Sequence, residues 1–161
     1  MPLKVWLKKL NLAKRVSEST KHNQLVEKLL LWINQNYPSW NGMPVVITAD
    51  HTPKYEGRRP PKIGEAVPDV YATSLPMAFC IIGEAKTTVD LETGHSQRQM
   101  ACFLEYLRFQ EHSWFVLATP WNLINTARNI TRALVRKVEA ENVNLVFLQD
   151  IEGIPPRKCL K

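Results

Sequence analysis

The chain is poor in cysteine, with only Cys80, Cys102 and Cys159 among 161 residues and no CxxC pair. This scattered, odd-numbered set offers neither a disulfide framework nor a zinc knuckle, and a reducing, cytoplasmic compartment is expected. No apolar run approaches the roughly 20 residues that span a bilayer, so no membrane is expected among the partners. The opening stretch MPLKVWLKKLNLAKRV lacks a long apolar block and a small-residue cleavage site, and is not expected to be a secretory signal. H-E-x-x-H, G-x-S-x-G and GxxxxGK[ST] are all missing, which leaves zinc protease, serine hydrolase and P-loop NTPase without support. The histidines, His22, His51, His95 and His112, lack the close spacing of a zinc site, and ordinary surface and packing roles are expected of them. There is no internal repeat and no low-complexity tract.

What is present describes a globular chain. Hydrophobic residues at 45% and charged residues at 22% suit one domain over residues 1–161 with an ordinary core. The formal charge of +6 favours a polyanionic partner, because each phosphate neutralised by Lys or Arg releases condensed counterions.

Leu3, Trp6, Leu7 and Leu10 recur at helical spacing among lysines, predicting a basic amphipathic helix over 1–16. Ser17 to Thr20 then offers N-caps for a second helix with Val26, Leu29, Leu30 and Ile33 as its apolar stripe, ended by Tyr37-Pro38. Strands are expected at Pro44–Asp50, Val67–Ser74 and Met77–Lys86, a helix from His95 to about Glu111, and a strand at Ser113–Pro120. A long helix over Asn122–Glu141 and a strand at Val143–Ile151 complete the chain. The order implies an α/β fold, a mixed β-sheet flanked by helices, with a core over 17–120 and a helix-strand extension over 121–161.

The third strand ends on Glu84-Ala85-Lys86, and alternation puts Cys80, Ile82, Glu84 and Lys86 on one face. A hairpin loop centred on Pro76-Met77 sets Asp69 directly opposite Glu84, with Cβ atoms about 4.5–5.5 Å apart. Carboxylates this close repel unless they share a proton, pair with a cation or bind a metal. Lys86 neutralises part of the pair, and an oxygen-lined Mg²⁺ site resolves the conflict more completely. A salt-bridge network of the three residues at the sheet edge is the alternative.

Pro68-Asp69, followed across a hairpin by Glu84-Ala85-Lys86 at the end of the third strand, resembles the PD-(D/E)XK nuclease superfamily. The resemblance covers most of the chain and implies a restriction-endonuclease-like fold with an αβββαβ core. It further implies a Mg²⁺- or Mn²⁺-dependent DNA endonuclease or exonuclease. On it, Asp69, Glu84 and the Ala85 carbonyl would hold the metal, with Glu27 the candidate acid on the first core helix. Lys86 would position or activate water, or act as a cation on the transition state. Gln99, preferred to Gln97, would assist from the next helix. Its partner four residues on is Phe103 where the RecB-like branch carries Tyr, a departure from that branch.

Arg58, Arg59 and Lys62 in the long loop between the first strands, and Thr87 beside the lysine, are the candidate nucleic-acid contacts. Arg128, Arg132 and Arg136 form a basic stripe on the penultimate helix. The partner expected is DNA, with a homodimer or a larger nucleic-acid-processing complex as the assembly. The competing reading is a non-catalytic nucleic-acid-binding or assembly module on the same fold.

Overall fold

The computed structural model describes residues 3–50, 58–74 and 79–150, with side chains from 20 to 149 within those ranges. The expected hairpin loop, His51 and Cys159 lie outside the described residues. Helix α1 (Leu3–Asn36) is followed by a small hairpin of β1 (Ser39–Trp40) and β2 (Met43–Pro44), then β3 (Val46–Ala49), β4 (Val70–Thr73) and β5 (Phe79–Ala85). Helix α2 (Gly94–Leu107), β6 (His112–Pro120), a 3-10 turn (Trp121–Leu123), α3 (Ile124–Lys137) and β7 (Asn144–Asp150) complete it. The main sheet has the order β3-β4-β5-β6-β7, antiparallel from β3 to β5 and parallel from β5 to β7. This is a mixed α/β fold, a five-stranded mixed sheet flanked by three helices.

Two corrections concern the first elements. The break expected at Ser17–Thr20 does not occur: one helix of 34 residues runs through it, about 50 Å long. No Gly or Pro lies between Leu3 and Asn36, and serines cost only a few tenths of a kcal/mol inside a helix, so nothing stops propagation. The β1–β2 hairpin was not expected. It turns on Asn41 and Gly42, both at positive φ (48° and 79°), the pairing that suits a two-residue hairpin loop. Helix α2 also stops at Leu107 rather than near Glu111, because the chain turns through Phe109 and Gln110 to start β6 at His112.

Alternation along the central strands divides the core. Phe79, Ile81 and Ala85 of β5 and Val116 and Ala118 of β6 pack under α1 against Leu25, Val26, Leu29 and Ile33. Cys80, Ile82, Phe115 and Leu117 pack on the other side against Met100, Phe103, Leu104 and Leu107 of α2 and Leu134 and Val135 of α3. Every residue of β5 is buried, which accounts for its continuous apolar run. At the start of β5, Tyr37, Trp40, Phe79 and Trp114 form a ring cluster with centroids 4.7–6.4 Å apart. That cluster fixes the end of the sheet remote from Glu84.

Helix α1 crosses the sheet over Gly83. A Cβ there would lie 3.2 Å from Val70 Cβ and 3.4 Å from the Leu29 methyls, closer than the surrounding core comfortably admits. Gly83→Val is therefore expected to lower stability by about 1–3 kcal/mol, read as a lower urea midpoint with an unchanged slope.

Candidate active site

The β4–β5 ladder has the expected register, with Val70 opposite Gly83 and Thr73 opposite Cys80. It ends one residue before Asp69 and Glu84 would pair. There the strands part company. Asp69 keeps β4 on β3, its carbonyl accepting from the Asp50 N–H at 2.9 Å, and Lys86 keeps β5 on β6, its N–H donating to the Ala118 carbonyl at 3.0 Å. Between them the backbone bonds are replaced by carboxylates. The Ala85 N–H donates to Asp69 Oδ2 at 2.8 Å, and the Asp69 N–H donates to Glu84 Oε1 at 3.2 Å. Two acids thus occupy a cleft opened in the sheet, each holding the other's strand.

The rest of the cleft balances their charge. Lys86 Nζ lies 2.8 Å from Glu84 Oε2 and donates to Gln99 Oε1 at 2.8 Å. Gln99 is thereby distinguished from Gln97, whose amide donates instead to the Glu92 carbonyl at 3.4 Å. From the opposite layer His22 Nε2 approaches Asp69 Oδ1 at 3.3 Å. Sequence reasoning assigned His22 an ordinary role, and the available signal was slight: it continues the buried stripe of Leu25, Val26 and Leu29 by one turn. Glu27, the expected acid from this helix, is exposed. It stands five residues beyond His22, about 140° around the helix, so the two cannot face the same cleft.

The other candidates fall outside this constellation. Thr87 is buried and donates its hydroxyl to Asp90 Oδ2 at 3.1 Å, opening the turn that leads to α2. Arg58 and Arg59 are exposed, and Lys62 pairs with Glu65 at 3.2 Å. None of these three is hydrogen-bonded or ion-paired to Asp69, Glu84 or Lys86 among the described residues. Arg132 and Arg136 are exposed on α3, whereas Arg128 leans over the Phe147 ring at 5.9 Å. Thr119 follows Ala118 on β6, next to Lys86 on the adjoining strand, and its buried hydroxyl has no hydrogen-bond partner among the described residues.

Electrostatics follow from burial. Glu84 is 1% exposed, and desolvation pushes its carboxyl up to about 7, with the Asp69 charge adding to the rise and Lys86 opposing it. Burial works against the Lys86 ammonium, yet the charges of Glu84, Asp69 and Asp90 outweigh it and hold the amine above its ordinary value. The hydrogen bond to Asp69 raises His22, against burial. The amine keeps its proton, and the carboxyl is the group driven toward neutrality.

These donors suit a hard cation only in part. Among the described residues no group of three or more His, Cys, Asp or Glu side chains is arranged to hold a metal ion. Asp69 and Glu84 each retain unused oxygen lone pairs, and Mg²⁺ is commonly bound by one or two carboxylates together with substrate phosphates. The residues fit a cation of that type, which would also relieve the desolvated Glu84 charge.

The sign of the pH dependence is fixed by these shifts. Glu84 binds its proton more tightly folded than unfolded, so its stabilisation is complete below about 4.5 and is lost as pH rises through about 7. The His22 contribution is complete below 6.5 and is lost above it, as pH passes its raised folded value. Without divalent ions, Tm is expected to fall between about pH 5 and pH 8, and Glu84→Gln to remove much of that fall. A wild-type profile rising over this range would contradict the assignment.

No protein-family model matches the chain, and no curated protein matches it. Among solved structures it is similar to one described as Pyrococcus furiosus SfsA in complex with Ca²⁺, at 14% sequence identity and a TM-score of 0.42. The alignment covers 91% of this chain and 62% of that one, so the chain spans about three-fifths of its neighbour's length. At this level the likeness assigns neither a family nor an activity. No described helix is long and apolar enough to cross a membrane.

Proposed function

We propose that the protein is a metal-dependent deoxyribonuclease of the PD-(D/E)XK type, hydrolysing phosphodiester bonds at the cleft between β4 and β5. The observation that carries this reading is the convergence of Asp69, Glu84 and Lys86 where the ladder opens, with Lys86 2.8 Å from Glu84.

Asp69, Glu84 and the Ala85 carbonyl would hold Mg²⁺ or Mn²⁺. Such an ion, when bound, polarises a phosphoryl oxygen and lowers the pKa of water. The chain's own contribution is positional and electrostatic. An ammonium has three N–H donors, and Lys86 directs one at Glu84 and one at Gln99, leaving the third for a phosphate oxygen or the attacking water. Held by Glu84 and Gln99, the Lys86 amine faces the charge that develops in the transition state. Gln99 fixes the amine from α2, and His22 steadies Asp69 from α1. DNA is the partner class that the net charge of +6 favours.

A second reading draws on the contacts within the site, in which each Asp69 and Glu84 oxygen already has one protein partner. On that reading the network is a staple in a non-catalytic nucleic-acid-binding or assembly module. Incubation with supercoiled, linear, branched and single-stranded DNA in Mg²⁺ or Mn²⁺ separates the two. Cleavage is expected, with Asp69→Ala and Lys86→Ala each lowering the rate by at least about 100-fold while circular dichroism is unchanged. Cutting at the wild-type rate by Lys86→Ala would overturn the assigned role. DNA retention without any cutting would favour the staple.

A further inference from the structure

The rim of the cleft differs in character from its floor. Three of the described segments adjoin it along the chain: the approach to Asp69 (Glu65 to Pro68), the turn after Lys86 (Thr87 to Thr93) and the exit from β6 (Thr119 to Leu123). Each carries a large apolar side chain in the open, Val67, Val89 and Trp121 respectively, and Trp121 is 61% exposed. Charges of both signs stand nearby: Asp90 and Glu92 are exposed, Glu65 is paired with Lys62, and Lys21 and Arg98, beside His22 and Gln99, are exposed.

Trp121 is held close to the chemistry. Ala118 pairs with Ala85 in the parallel ladder and accepts from the Lys86 N–H at 3.0 Å. Three residues further along β6, Trp121 opens the 3-10 turn, so its backbone stands within about 10 Å of Lys86. Its position is fixed from both sides, by β6 behind and by α3 ahead.

An intact duplex hides the faces of its bases and offers an indole beside the site nothing to stack on. An exposed indole among apolar side chains suits the opposite case, a nucleotide whose base is free to stack. We infer that the cleft takes an unpaired nucleotide, at a strand end, flap or single-stranded stretch, with Trp121 stacking its base while the adjoining phosphate lies at Asp69, Glu84 and Lys86. This rests on the nucleic-acid reading above and names its substrate class.

The test uses the full chain and fluorescein-labelled oligonucleotides in Ca²⁺, a divalent ion chosen to limit cutting. The probes are a dT strand, the same strand with one abasic position per register, and a blunt duplex. Wild type is expected to prefer the dT strand. Trp121→Ala should weaken its binding by about 5- to 100-fold, and Trp121→Phe should retain most of it. An abasic strand should bind wild type as weakly as dT binds Trp121→Ala. Equal binding of dT by wild type and Trp121→Ala would overturn the inference, as would a preference for the duplex or no oligonucleotide binding at all. In the last case Trp121 would be left as a protein-docking residue.

Cleavage kinetics keep the two claims apart. Cutting in Mg²⁺ with KM for single strands unchanged in Trp121→Ala would remove the stacking role and leave the nuclease. Trp121-dependent binding with no cutting would do the reverse. A rise in KM with kcat nearly retained is the expected signature.

Discussion

A carboxylate buried at the end of a core strand must be given donors, and much of the geometry around Glu84 follows from supplying them. The protein does so by giving up the last rung of the β4–β5 ladder. The N–H groups of Asp69 and Ala85 go to side-chain oxygens across the gap, while the outer strands hold their partners through Asp50 and Ala118. A buried acid thereby becomes the seam between the antiparallel and parallel halves of the sheet. Helices from both layers close the circuit, α1 through His22 and α2 through Gln99. Removing one member of such a set leaves a buried charge or donor unmatched, which costs more than the pair itself contributes.

The halves of the molecule divide the labour. At the start of β5, aromatic rings lock the helix end, the small hairpin and two strands together. At its finish, polar groups replace rings and the sheet opens. The close crossing of α1 over Gly83 ties the two ends, since the stripe that seats Leu29 there also carries His22. The site is therefore set by packing several residues away and not by the polar groups alone.

Much of this arrangement was legible in the residues. Alternation along Phe79–Ala85 fixes which side chains share a face, and the loop expected at Pro76-Met77 predicts the register that the β4–β5 ladder has, so the meeting of Asp69 and Glu84 follows from local rules. Met100, Phe103, Leu104 and Leu107 declare the buried side of α2, which brings Gln99 rather than Gln97 inward. What local rules could not supply was the crossing of α1. His22 and Glu27 are both polar residues on one amphipathic helix, and only the line along which the helix meets the sheet selects between them. The continuity of α1 was missed because residues that cap helices are also tolerated within them. The β1–β2 hairpin did announce itself, in Asn41-Gly42, but its strands are too short for periodicity to register.

The seam has a consequence for how the chain reaches its native alignment. Strand faces alternate with a period of two, so slipping β4 past β5 by one residue would turn the Asp69 carboxylate away from the Ala85 N–H and take the Asp69 N–H from Glu84 Oε1. Only one alignment gives Glu84 its donor from Asp69 beside the one from Lys86. Asp69 and Glu84 thus act as an internal gauge of strand alignment, penalising misassembled sheets.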